Sequence, residues 1–195
     1  MAQYVPLQVL STFSLLHSTS TVSELVQTAK QQGYSTLALT DVDIMYGIVD
    51  FYNACRQAEI TPILGITLNL LGRELTAQTF SLVVLAKDQA GYQNLMRLST
   101  MKQTATDAGL SLTAVLPYLN HLMVLTPAKD SELAALLLQN TAERAADWIT
   151  TLRQAVDSAS LYLGIALDQA PALGTTMRAF AQQHQVPVVA LGPVD

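Results

Sequence analysis

Charge is what this chain has least of. Asp, Glu, Lys and Arg make up 13% of its 195 residues, about half the share of an ordinary globular domain. Ten Lys and Arg stand against fifteen Asp and Glu, a net charge of -5, and no basic run is present. Nothing here would displace counterions from a phosphate backbone, so direct nucleic-acid binding by this chain alone is not expected. One cysteine, Cys55, excludes an internal disulfide, and His17, His121 and His184 are too scattered for a Cys/His metal spacing. The nine glycines stand singly, which excludes a Walker or Rossmann phosphate loop. The stretches before Glu24 and between Asp107 and Lys129 are uncharged. The first is cut by Gln8, Ser11, Thr12, Ser14 and Ser18, and the second by Pro117, Asn120 and His121. Neither predicts a membrane span or an export signal, and a cytoplasmic protein is expected.

What is abundant is apolar: half of the residues are hydrophobic, enough for a large interior and incompatible with disorder. The pattern alternates. A β-favouring segment over 4–10 precedes a helix that opens at Ser20-Thr21 with Glu24 behind it and stops at Gln32-Gly33. Strands are then expected over 36–40, 62–66, 81–86, 121–126, 160–166 and 186–191. Helices are expected through Ile48 to Cys55 and over 91–98, 113–118, 131–140, 142–156 and 173–183. Seven strands separated by helices fit parallel crossovers, which an open doubly wound sheet and a closed barrel satisfy equally. No linker or repeat interrupts the chain, so residues 1–195 are read as one domain.

In a parallel α/β fold the chemistry lies after the strands. Those positions hold Ser11, Thr12, Ser14 and His17, then Asp41 and Asp43, then Thr67 and Asn69, and finally Pro193 and Asp195. Asp41 and Asp43 suit a hard metal or an acid/base pair, and equally a helix cap with a second acid beside it. His17 could serve as a ligand or base, but without a second histidine nearby it reads as a rim residue. Cys55 lies among the apolar positions of its helix and reads as core. His121 and His184 precede strands, at the end away from chemistry.

The residues Leu7-Gln-Val-Leu-Ser-Thr-Phe-Ser-Leu-Leu-His17, Leu37-Ala-Leu-Thr-Asp-Val-Asp-Ile-Met-Tyr-Gly47, Phe51-Tyr52 and Thr61-Pro-Ile-Leu-Gly65 resemble the PHP (polymerase and histidinol phosphatase) domain that opens bacterial DNA polymerase III alpha subunits. The likeness continues through Leu82-Val-Val-Leu-Ala-Lys-Asp-Gln-Ala-Gly-Tyr-Gln-Asn-Leu-Met-Arg-Leu98 and Pro187-Val-Val-Ala190. It implies a distorted seven-stranded (β/α)7 barrel. It also implies a longer chain, a DNA-directed DNA polymerase (a nucleotidyltransferase of DNA replication), of which 1–195 is an amino-terminal fragment.

Active members of that family hold divalent ions with His, Asp, Glu and Cys ligands and cleave phosphoesters with metal-activated water. Carried over position by position, their His-x-His falls on Gln8 and Leu10, a histidine on Val42, a glutamate on Thr67, a histidine on Ser81 and a cysteine on Ala128. Their terminal Asp-Val-His falls on Pro193-Val194-Asp195. Only His17, where the family has aspartate, and Asp195 keep a good donor. The resemblance therefore implies a degenerate site, with no catalytic residue, metal or cofactor in this domain. What remains is a scaffold role against the thumb and palm of the same chain, with docking of a proofreading exonuclease as a further role. DNA would be met only through the full-length polymerase. The alternative is a phosphoesterase or proofreading exonuclease with a reduced site, using His17, Asp41, Asp43 and Asp195 for a single ion.

Overall fold

The computed structural model describes residues 4–105, 109–157, 159–166 and 170–192. The elements follow the expected alternation closely. Helix α1 (Val22–Gln31) starts at Thr21, whose hydroxyl accepts from Glu24 N while the Glu24 carboxylate accepts from Thr21 N at 2.8 Å. That reciprocal cap satisfies donors which the first turn would otherwise leave open. Its buried stripe is Val22, Val26 and Ala29. Strand β1 (Thr36–Leu39) and helix α2 (Ile48–Ala58) follow, then β2 (Thr61–Leu71), β3 (Thr79–Ala86) and α3 (Gln89–Thr104). Next come α4 (Leu112–Val115) with a 3-10 turn (Leu116–Tyr118), β4 (Leu122–Thr126), α5 (Glu132–Leu138) and α6 (Ala142–Ala155). The last elements are β5 (Leu161–Ile165), α7 (Pro171–Gln183) and β6 (Val188–Ala190).

Among the described residues the strands form one six-stranded sheet in the order β1-β2-β3-β4-β5-β6, which corrects two expectations. The segment over 4–10 is not a regular strand. It runs beside β1, where Ala38 N donates to Pro6 O at 3.3 Å and Thr40 N to Val9 O at 2.8 Å, but Val9 N donates to the Thr40 hydroxyl at 3.1 Å. A proline without an N–H, and a side chain standing in for a carbonyl, break the ladder there. Nor is the sheet all parallel. Strands β1–β2 and β4–β5–β6 pair in parallel, whereas β3 is antiparallel to both neighbours. The connection from Leu71 to Thr79 holds no helix, and without a crossover the chain can only turn back. Strand β2 also outruns its expected end at Ile66. Polar Thr67 and Asn69 interrupt the apolar run, but the alternation continues through buried Leu68 and Leu70.

Both faces of the sheet are covered. Leu82 and Val84 of β3 pack with the large cluster under the helices that follow β2, whereas Val83 and Leu85 meet Leu125 and Leu191 on the other face, flanked by Leu7, Ile63, Met123 and Tyr162. Strands buried on both sides lose the polar alternation of a half-exposed sheet, which is why they read as continuous apolar runs. A third cluster joins α1, α2 and β1 around Phe51 and Cys55. Gly65, the register partner of Leu85, leaves room for its neighbours: a Cβ there would fall 2.5 Å from a Leu85 methyl and 2.6 Å from Val84 O. No helix among the described residues is long and apolar enough to cross a membrane.

Candidate functional site at the strand ends

Strands β1 and β2 end, and β3 begins, at the same edge of the sheet, because β3 runs the other way. This reversal carries Ser81, near the start of its strand, to the edge reached by Asp41, Thr67 and Asn69. Asn69 is the register partner of Ser81, and the Ser81 hydroxyl donates to Asn69 Oδ1 at 2.8 Å. Val42 forms an isolated parallel bridge with Thr67, and the Thr67 hydroxyl donates to Thr40 O at 2.9 Å.

Asp41 is the centre of this edge and is 2% exposed. Its Oδ1 accepts from Ser11 N at 2.7 Å and from the Ser14 hydroxyl at 2.6 Å, and its Oδ2 accepts from the Ser11 hydroxyl at 2.7 Å. Ser14 Oγ in turn accepts from Val42 N at 2.9 Å. A buried carboxylate without a cation is tolerable when donors face both of its oxygens. This arrangement corrects the helix-cap alternative, since the N-cap of α2 is Gly47, with no side-chain cap. Asp41 instead ties the loop after Val9 to the end of β1.

Asp43 adopts a left-handed backbone at φ 63°, a conformation Asp tolerates better than most residues. Its N–H donates to Thr67 O at 2.8 Å, and its Oδ1 accepts from Asn69 N at 2.8 Å, so backbone and side chain together continue the pairing with β2 after β1 has ended. The last turn of α3 closes over it. Lys102 Nζ lies 3.5 Å from Asp43 Oδ2 and donates to Asn69 O, while Gln103 Nε2 donates to Asp43 O at 3.0 Å. Burial pushes the Asp43 carboxyl upward, opposed by the Asn69 N–H and the Lys102 ammonium.

The other positions singled out in the sequence fall as follows. Gln8 and Leu10 are buried beside β1, Val42 is half-buried, and Ala128 is 3% exposed after the end of β4. His17 is exposed, its main-chain N–H bonded to Ser14 O at 3.0 Å. Pro193 and Asp195 lie outside the described residues. Among the described residues no group of three or more His, Cys, Asp or Glu side chains is placed to hold a metal ion. Sequence reasoning missed Lys102 and Gln103 altogether. No local signal could have found them, since α3 delivers them to Asp43 across 59 and 60 positions of chain.

The opposite edge carries a second polar cluster. His121 Nδ1 lies 2.8 Å from Asp88 Oδ2, and Asp157 Oδ2 accepts from Lys87 Nζ and from His121 N, both at 3.0 Å. These bonds hold the Asp88 and Asp157 carboxyls below the usual range; for Asp88 the larger cause is its cap on Gly91 N. Cys55, read as core, is fully buried, and burial pushes its thiol up to about 11.

A mixed α/β sheet with a polar corner where strand ends meet defines the class, and the family model for the PHP domain matches residues 6–166. The chain belongs to that family. The DNA polymerase III alpha subunit of Bacillus subtilis (strain 168) is 38% identical over 143 residues, 73% of this chain and 13% of that protein. That of Halalkalibacterium halodurans is 32% identical over 163 residues, 83% of this chain and 14% of that protein. The error-prone DNA polymerase of Pseudomonas paraeruginosa is 32% identical over 197 aligned positions, covering 100% of this chain and 18% of that protein. The chain thus spans less than a fifth of the length of these relatives. In fold it is similar to an amidohydrolase from Chromobacterium violaceum, at a TM-score of 0.65 and 12% identity over 97% of this chain and 86% of that one. It is equally similar, at 0.65 and 11% over 98% and 87%, to a protein assigned as a metal-dependent phosphoesterase from Bifidobacterium adolescentis. At such identities the likeness is one of fold alone.

Proposed function

We propose that this chain is the PHP module of a replicative DNA polymerase alpha subunit and works there without catalysis of its own, as a brace for the polymerase thumb and palm. Docking of a proofreading exonuclease belongs to the same reading, and the segment over 4–10, although not a regular strand, runs beside β1 where the seventh stave of a PHP-like barrel would lie. One observation carries the proposal. At the corner where the phosphoesterase chemistry of this family would be built, the carboxylate oxygens of Asp41 and Asp43 already face protein donors. A divalent ion needs several oxygen or nitrogen ligands with open lone pairs. The residues present do not fit one, because Gln8, Leu10, Val42, Thr67, Ser81 and Ala128 supply amide, aliphatic or hydroxyl groups.

Exposed apolar side chains near that corner in sequence support the docking part of the reading. The Phe13 ring packs close to Gly47, and the chain neighbours of that contact, Leu15, Leu16 and Tyr46, are exposed. Leu16 is fully solvent-facing and in the left-handed region at φ 67°. Exposed apolar side chains of this kind suit protein contact better than a small polar substrate.

Metal analysis and a phosphoesterase assay test the reading together. The purified chain is expected to carry no stoichiometric Zn or Mn and to leave phosphomonoesters and diesters intact with either metal added. Bound metal with turnover abolished by His17→Ala would restore the single-ion alternative. The reading frame in the natural gene is expected to continue past Asp195 into polymerase sequence.

A further inference from the structure

Resting on that reading, we infer that Lys102 is the resident cation of the strand-end corner, an ammonium carried on the last turn of α3 that takes the place of a divalent ion. The geometry is that of a cation site built from within. Lys102 Nζ donates to the main-chain oxygen of Asn69 and lies 3.5 Å from Asp43 Oδ2, the oxygen not taken by Asn69 N. Both side chains are about four-fifths buried, Lys102 at 19% and Asp43 at 20% exposure. Removal from water strengthens their attraction and raises the cost of leaving either one alone. Two further oxygens at this corner are also occupied. Asn69 Oδ1 accepts from Ser81, and Asp43 O accepts from Gln103 Nε2.

The helix itself favours this placement. Lys102 sits in the final turn of α3, where unpaired carbonyls concentrate negative potential and a cation is stabilised. An arriving divalent ion would have to displace the ammonium and would then find one carboxylate and one carbonyl. Lys102 therefore excludes a metal from the corner while holding the reversed strand β3, through Asn69 and Ser81, to the Asp43 turn.

A double-mutant cycle on the 195-residue chain, read by denaturant unfolding, tests the inference. Lys102→Met alone leaves the largely buried Asp43 carboxylate without its cation, and is expected to lower the folded-to-unfolded ratio about thirtyfold. With Asp43→Asn added, the loss is expected to shrink to about threefold, because no charge is then stranded. Lys102→Arg is expected to keep most of the wild-type ratio. A cycle in which the two single losses simply multiply would overturn the inference. If Lys102→Met does not fold, the wild-type chain still decides. Its Lys102 ammonium is expected to give a slowly exchanging 15N signal that vanishes in Asp43→Asn, and a signal unaffected by that change overturns the inference. Mn2+ titration separates the two levels. Stoichiometric Mn2+ uptake by the wild type would defeat this inference and the underlying loss of metal together, whereas absent coupling without Mn2+ uptake would defeat this inference alone.

Discussion

Removing the Asp41 carboxylate should unfold the strand-end corner, and the size of the effect follows from its bonds. In Asp41→Ala three donors lose their acceptor: Ser11 N, the Ser11 hydroxyl and the Ser14 hydroxyl. The hydroxyls can rotate toward other partners, but the Ser11 N–H cannot, and Ser11 is fully buried. Hydrogen bonds to a charged group contribute about 1.5–3 kcal/mol each, and a stranded buried donor costs about 1–3 kcal/mol. Because the bonds share one carboxylate they are not additive, and a total loss of about 3–5 kcal/mol is expected. Asp41→Asn keeps an oxygen for Ser11 N and lets the Ser11 hydroxyl accept from the new amide, so about 1–2 kcal/mol should be lost. Urea unfolding followed by circular dichroism, with unchanged m-values, gives both numbers. A loss below about 0.5 kcal/mol for Asp41→Ala, the level of an ordinary surface change, would refute the claim that this carboxylate fastens the loop after Val9 to β1.

Further outcomes follow from other parts of the molecule. Glu132 is 3% exposed and accepts from Arg73, Glu74 and Leu75 N and from Trp148 Nε1, so Glu132→Ala should cost about 3–4 kcal/mol and expose the 73–75 backbone to hydrogen exchange. Gly65→Ala should lower the melting temperature by several degrees, about 2 kcal/mol by overpacking against Leu85 and Val84. Cys55, buried with its thiol raised to about 11, should resist an aromatic disulfide reagent at pH 8 in the native state and react promptly in urea. The Asp88 carboxyl is held below its ordinary value in the folded chain. The stability it contributes is present above the unfolded value and is lost as pH falls through the folded one, because the unfolded chain takes up the proton first. Asp88→Asn should therefore flatten the acid limb of a stability-against-pH curve, and an unchanged limb would contradict the assignment.

Sequence alone determined the alternation of elements, because helix caps such as Thr21 with Glu24, and apolar runs such as 122–126, act over a few neighbouring residues. It also located the corner at Asp41, Asp43, Thr67 and Asn69, since strand ends are legible wherever an apolar run stops at a polar residue; Ser81, near the start of its strand, was pointed to only by the family resemblance. Tertiary structure decided what local pattern does not encode. A strand buried on both faces has the same composition whichever way it runs, so the reversal of β3 emerged only from its pairing with β2 and β4. The same holds for the corner's chemistry. Asp41 could have capped a helix or bound a cation until Ser11 and Ser14 were seen to surround it, and Asp43 acquired its ammonium from a helix some sixty residues away. Charge acts through space, and only the folded chain sets those distances.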